Sequence, residues 1–232
     1  MLAQLKAEVA DANRALPSTG LVKLTWGNVS AIDRDAGVFG IKPSGVDYAS
    51  VTPGDIVLVD LDGKIVEGEL NPSSDTRTHL ELYRAWGSIG AVCHTHSPYA
   101  TMFSQAGRSI PCFGTTHADH FYGDVPICRA LTPAEVDADY EKNTGLAIVE
   151  HFDEHDIAPD AMPAVLQLHH APFTWGKTAQ HSLDNATALE ICAQMALETL
   201  RLNPDTPPLP DYILNKHYLR KHGPGAYYGQ GK

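Results

Sequence analysis

The apolar run Ile89 to Cys93 closes on His94-Thr95-His96 and passes at once into Ser97-Pro98. This junction constrains the fold more than any other stretch of the chain. The run reads as a buried strand, and Ser followed by Pro reads as a helix cap and its first position. Side chains two apart on a strand share a face at a backbone separation of about 7 Å, from a rise of ~3.3 Å per residue. Both imidazoles can therefore converge on one ion, while Cys93 and Thr95 point the other way and are poor ligands for it. A strand that ends this way sits at the rim of a sheet, where pockets form.

The rest of the chain supplies a sheet and helices around that junction. Leu2, Leu5, Val9, Ala12 and Leu16 follow the spacing of one helical face. Short β-branched runs at Val38 to Ile41 and Ile56 to Val59 are separated by Gly, Pro and Ser clusters and read as strands. Asp62-Gly63 before Ile65-Val66 is a hairpin signal, so part of the sheet is antiparallel. Helices are expected after Asp75 to Trp86, from Ser97 to Gly107, and from the capping box Thr132-Pro133-Ala134-Glu135. Val165 to His169 reads as a further strand. The longest helix is expected over Thr178 to Asn203, and a short one near Tyr212 to Lys221. No repeat or linker divides the 232 residues, so 1–232 reads as a single α/β domain.

Charge and cysteine usage exclude several classes. Seventeen basic against 28 acidic residues leave a net charge of −11, which disfavours nucleic acid or an anionic membrane as partner. An anionic substrate then needs a local pocket of donors. Lys6, Glu8, Asp11 and Arg14 interrupt any apolar targeting segment at the start, and no run has membrane-spanning character. Cys93, Cys112, Cys128 and Cys192 match neither a zinc ribbon nor a disulfide framework and read as reduced, buried thiols of a cytoplasmic protein.

Histidine is over-represented, with 12 residues. His169-His170 offers a third donor to an ion held by His94 and His96. Adjacent strand residues face opposite ways, so one of the two should bind, and periodicity does not say which. His79, His151, His155, His181 and His222 sit among polar residues and read as solvated surface. Three turn-like segments, Gly27-Asn28-Val29-Ser30, Lys42-Pro43-Ser44-Gly45 and Pro72-Ser73-Ser74-Asp75, together offer the amides, hydroxyls and cation that a phosphate needs. Asp75 at their edge could cap the next helix, bind metal, or both. Asp119, between His117 and His120 in a segment placed between strands, is a candidate general base, although an ordinary loop aspartate is the plainer reading. The tail His217 to Gly229 is basic and aromatic, and either frays or covers a site.

The motifs TWGNVS (25–30), KPSGVDY (42–48), PSSDT (72–76), HTHS (94–97), GTTHAD (114–119), FTWGK (173–177) and KHYLRKHG (216–223) resemble, over nearly the whole chain, the class II aldolase family and its sugar-phosphate 4-epimerase branch. The resemblance implies a three-layer α/β/α fold with a central, largely antiparallel sheet, assembled as a homotetramer with active sites between subunits. It implies zinc held by His94, His96 and His170 with Asp75 associated, and phosphate held by Gly27, Asn28, Ser44, Gly45, Ser73 and Ser74. Asp119 and Tyr228 match two acid/base positions brought from a neighbouring subunit. One departure is visible: the family's His-Gly is His170-Ala171 here, which would cost about 1 kcal/mol if that position needed positive φ.

The reaction so implied interconverts L-ribulose 5-phosphate and D-xylulose 5-phosphate by breaking and re-forming the C3–C4 bond. The nearest rival is a related aldolase, of the L-fuculose-phosphate type, that releases two fragments. A non-catalytic zinc or sugar-phosphate module is the remote alternative.

Overall fold

The computed structural model describes residues 2–227. Helix α1 (Leu2–Ala15) and a short 3₁₀ turn (Leu16–Thr19) precede four strands, β1 (Gly27–Asp33), β2 (Val38–Ile41), β3 (Val57–Asp60) and β4 (Ile65–Glu67). Then come α2 (Thr76–Ala85), β5 (Ala91–Thr95), α3 (Pro98–Ala106), the single turn α4 (Thr115–Ala118) and β6 (Ile127–Cys128). Helix α5 (Pro133–Glu154), β7 (Ala164–Gln167), β8 (Pro172–Gly176), α6 (Ala179–Leu202) and α7 (Asp211–His222) complete the chain.

One eight-stranded sheet runs in the order β4-β3-β2-β1-β5-β8-β7-β6. Its pairings are antiparallel except β6 with β7, which is parallel, so the sheet is mixed. Strand alternation divides the core. Phe39, Ile41, Val57, Val59 and Val92 join one buried cluster with residues of α2, α3 and α5. Val38, Leu58, Ala91 and Cys93 join another with α1 and the start of α6. All four cysteines are free and buried.

Several sequence expectations change in detail. Gly27-Asn28 does not form a turn but opens β1, paired with Thr95 and His94 of β5. A side chain at Gly27 would place its Cβ 2.8 Å from the His94 carbonyl oxygen, and φ there is +130°, so glycine is what lets the two strands close at the site. The Gly114 to Gly123 segment carries α4. His169 and His170 lie in the β7–β8 turn, beyond the strand, and it is His169 that adopts positive φ (+64°). Ala171 needs no left-handed backbone, so the expected cost of losing glycine there does not arise.

Helix α5 starts on the expected capping box, Thr132 accepting from the Glu135 amide and Glu135 from the Thr132 amide. It then breaks at Asp139 (φ −170°, ψ 88°), whose Oδ1 accepts from the Lys142 amide at 3.2 Å and caps a second segment. Gly145 lets that segment press onto α2, since a Cβ there would lie 2.9 Å from the Thr78 carbonyl oxygen. Thr78 Oγ1 donates to the Glu141 carbonyl at 2.6 Å, fixing Tyr140 and Glu141 beside the start of α2.

Candidate metal and anion site

His94 is the last inward residue of β5, and His96 follows it beyond the strand end. Their Nε2 atoms lie 3.1 Å apart. His170 enters from the β7–β8 turn, with ring centroids 4.9 Å from His94 and 5.1 Å from His96. Ligand atoms of the three all fall within 4.8 Å of one another. Between His169 and His170, which periodicity could not separate, the turn decides: the exposed His169 stays outside this group.

The donor chemistry fits a divalent cation. His94 Nδ1 donates to the Pro172 carbonyl at 2.9 Å, which leaves a bare lone pair on Nε2, and its ring stacks on Phe173 at 4.2 Å. His170 Nδ1 is buried without a partner. Burial, reinforced by the neighbouring rings, pushes His96 down to about 4 and His170 to about 3. Neutral imidazoles are the ligating form.

Around the triad lies a cavity of about 390 Å³. Gly27, Asn28, Ser44, Gly45, Ser73 and Ser74 all line it, with Lys42, Asp75 and the three histidines. The Lys42 and Ser73 segments are tied together, Ser44 N–H donating to Asn71 O at 2.9 Å and Ser73 N–H to Lys42 O at 3.0 Å. Lys42 is 2% exposed, its Nζ 5.0 Å from the Tyr48 ring centroid, and burial lowers its pKa. Tyr48 in turn donates to the Gly27 carbonyl at 2.8 Å.

Asp75 stands at the N-cap of α2 but makes no side-chain cap bond, so the capping role does not hold. Its Oδ2 instead accepts from Asn28 Nδ2 at 2.6 Å, and it lines the cavity without joining the three converging imidazoles. Burial favours its neutral form, yet the His94 and His79 rings and the Asn28 bond outweigh this and hold the carboxyl below the usual range.

Asp119 takes a different place. It ends α4 and does not line the cavity. Arg220 Nη2 donates to Oδ2 at 2.6 Å, and His217 Nδ1 lies 3.1 Å from Oδ1. Burial raises its pKa, but these two partners and Lys221 more than reverse the effect, so the group is an ionised carboxylate. The flanking His117 plays another part, its Nε2 donating to the Gly123 carbonyl at 2.8 Å. Tyr228 lies outside the described residues.

Sequence reasoning missed three neighbours of the cavity. Trp26, 54% exposed, sits 6.5 Å from the His96 ring at the mouth. Tyr140 and Glu141 also line it; the signal that could have found them is Asp139 acting as a second cap within α5. His79, read from its polar neighbours as solvated, is wholly buried.

A sheet that presents three converging imidazoles beside an amide- and hydroxyl-lined pocket defines an α/β protein with a histidine group that could hold a metal ion. The chain belongs to the Class II Aldolase and Adducin N-terminal domain family, which matches residues 7–197. A relative from Salmonella paratyphi A, L-ribulose-5-phosphate 4-epimerase UlaF, is 52% identical over 227 residues, covering 98% of this chain and 99% of its own. Among solved structures, L-fuculose 1-phosphate aldolase is similar with a TM-score of 0.78 at 27% identity, covering 92% of this chain and 94% of that one. The l-fuculose-1-phosphate aldolase of Thermus thermophilus gives a TM-score of 0.70 at 27% identity, covering 89% and 100%.

Proposed function

We propose that the chain is an epimerase that interconverts L-ribulose 5-phosphate and D-xylulose 5-phosphate at C4, with zinc as its metal and a homotetramer as its working form. The observation that carries this is the meeting of the imidazole triad and the oxyanion-binding segments in one cavity, in a chain 52% identical to a 4-epimerase along nearly its whole length. The division of the core favours the three-layer α/β/α arrangement of one domain. No helix among the described residues is long and apolar enough to cross a membrane; a cytoplasmic location is part of the proposal.

The hydrogen on C4 is not acidic, because no carbonyl is adjacent to it, and direct deprotonation would be too costly. Breaking C3–C4 avoids that barrier: loss of the C4 hydroxyl proton yields a three-carbon enediolate and glycolaldehyde phosphate. His94, His96 and His170, with Asp75 beside them, would hold a divalent cation, which when bound would supply Lewis-acid stabilisation of the negative charge that develops. Lys42, Asn28 and the Gly27, Ser44, Gly45, Ser73 and Ser74 groups hold the phosphate while the aldehyde turns and offers its other face. Two acid/base groups then serve the two faces, one taking the hydroxyl proton and the other returning it. We assign these roles to Asp119 and Tyr228 of a neighbouring subunit; the place of Asp119 outside the cavity of its own chain supports this.

The L-fuculose-phosphate aldolase reading uses the same cavity, and the solved aldolases support it as a second choice at 27% identity. Incubating the protein with a panel of pentulose and deoxyhexulose phosphates and identifying products by NMR separates the two. D-Xylulose 5-phosphate from L-ribulose 5-phosphate is expected. Accumulation of free aldehyde fragments would overturn epimerisation.

A further inference from the structure

Beneath the site, a second polar rung joins the same two elements. Residues two apart on β1 share a face, as do residues four apart on α2, so Asn28 and Ser30 oppose Asp75, His79 and Tyr83. The outer rung is the Asn28–Asp75 bond. The inner rung is Ser30, whose Oγ lies 2.7 Å from His79 Nδ1 and 2.7 Å from the Tyr83 hydroxyl. It is enclosed, with Ser30 and His79 0% and Tyr83 1% exposed. Three apolar side chains would fill this space with less desolvation.

A histidine–serine–tyrosine chain can run with either hydrogen-bond polarity, and its phenol end decides between them. Burial keeps the Tyr83 hydroxyl protonated, and among the described residues its side-chain hydrogen-bond partner is Ser30 Oγ, so Tyr83 gives its proton to Ser30. Ser30 donates to His79 Nδ1, and the imidazole carries its hydrogen on Nε2. His79 Nε2 is buried and has no partner within the protein. Asp75 and His94 lie within electrostatic reach of the ring, and of the two Asp75 is the anionic group.

We propose that Tyr83, Ser30 and His79 form a positioning chain for Asp75. It keeps an N–H donor available to the Asp75 carboxylate and holds α2 in the register at which Asp75 meets Asn28. None of the three ligates the ion or touches substrate. The inference rests on reading the cavity as a metal centre and needs no turnover.

The test has two arms. In ¹⁵N-histidine NMR spectra, with His79 assigned by loss of its signal in His79→Gln, the metal-free protein should show the Nε2-protonated tautomer, and Ser30→Ala should mix the tautomers. A wild-type Nδ1-protonated His79 would overturn the chain. In chelator-competition titrations with zinc, His79→Leu should bind about 10- to 100-fold more weakly, the range for outer-shell partners. His79→Gln, which keeps an N–H near the Nε2 position, should recover most of that loss. Equal weakening in both, or none in either, would overturn positioning and leave a purely structural role. Where His79→Leu does not fold, Ser30→Ala replaces it in the titration, with weaker binding again expected. A wild type that binds no zinc at all would fail the metal-centre reading itself, while the tautomer arm would still judge the chain.

Discussion

His94, His96 and His170 are brought together by sheet geometry within one chain, whereas Asp119 is held in a separate corner where the single turn α4 meets α7. In the first region the strand period, the β7–β8 turn and the Pro172 carbonyl place the rings, and the Gly- and Ser-lined cavity lies against them. In the second, Arg220 and His217 hold a carboxylate that faces none of that cavity. The contrast teaches that one chain gathers the groups proposed for the metal and the phosphate, while the carboxylate proposed for proton transfer stands apart from them and, on that proposal, serves the cavity of another copy.

The largest effect should come from the first region. His170→Ala should lower turnover by about three orders of magnitude or more, since the ion is asked to supply several kcal/mol of charge stabilisation, and metal analysis should show reduced occupancy. Normal turnover with normal metal content would break the contrast at its stronger side. Next, Asp119→Asn should reduce kcat by about 10²- to 10⁴-fold, the range of a general acid or base, while zinc content stays at the wild-type level. A loss of zinc in that variant would mean that the two regions are not separate.

Lys42→Met should act more mildly. Removing the buried ammonium should raise KM for the sugar phosphate about ten- to a hundredfold, in line with ~1.5–3 kcal/mol for a charged hydrogen bond, with a smaller change in kcat. Steady-state kinetics on L-ribulose 5-phosphate checks this, and an unchanged KM would remove Lys42 from the phosphate pocket.

The smallest effect is one of stability. His117, beside Asp119, is held neutral by burial at about 4, against 6.5 in the unfolded chain. Between those values the unfolded state takes up a proton that the folded state refuses, so stability falls as pH drops from 6.5 towards 4 and levels off below. Asp119 acts at lower pH: its depressed carboxyl stabilises above the ordinary aspartate range and is lost as pH falls through its folded value. Thermal midpoints across this range should fall less in His117→Gln than in the wild type. Parallel curves would show that His117 is not a source of acid sensitivity in this corner.

Much of the imidazole region was legible in the residue order, because a period of two is a local property: it put His94 and His96 on one face and sent Cys93 to the opposite core cluster. The three Gly- and Ser-bearing segments picked out by composition do meet around one cavity, even though Gly27-Asn28 is strand and not turn. The choice of His170 over His169 was not, because the strand ends first and a positive φ at His169, not alternation, sets the direction of each ring. His79 was misread since its immediate neighbours are polar; the spacing of Asp75, His79 and Tyr83 held the better clue. Tyr140 and Glu141 were hidden behind the capping box of α5, which gave no reason to expect a break seven residues on. The surroundings of Asp119 depend on residues about a hundred positions away, which no window along the chain brings together.

The proposed division of labour between chains is tested most directly by mixing two inactive proteins, Asp119→Asn and His96→Asn, under conditions that exchange subunits. Hybrid assemblies, verified by mass spectrometry, should regain epimerase activity, because an intact imidazole triad in one chain then meets an intact Asp119 from its neighbour. Verified hybrids that stay inactive would contradict a shared site and return both halves of the chemistry to a single chain.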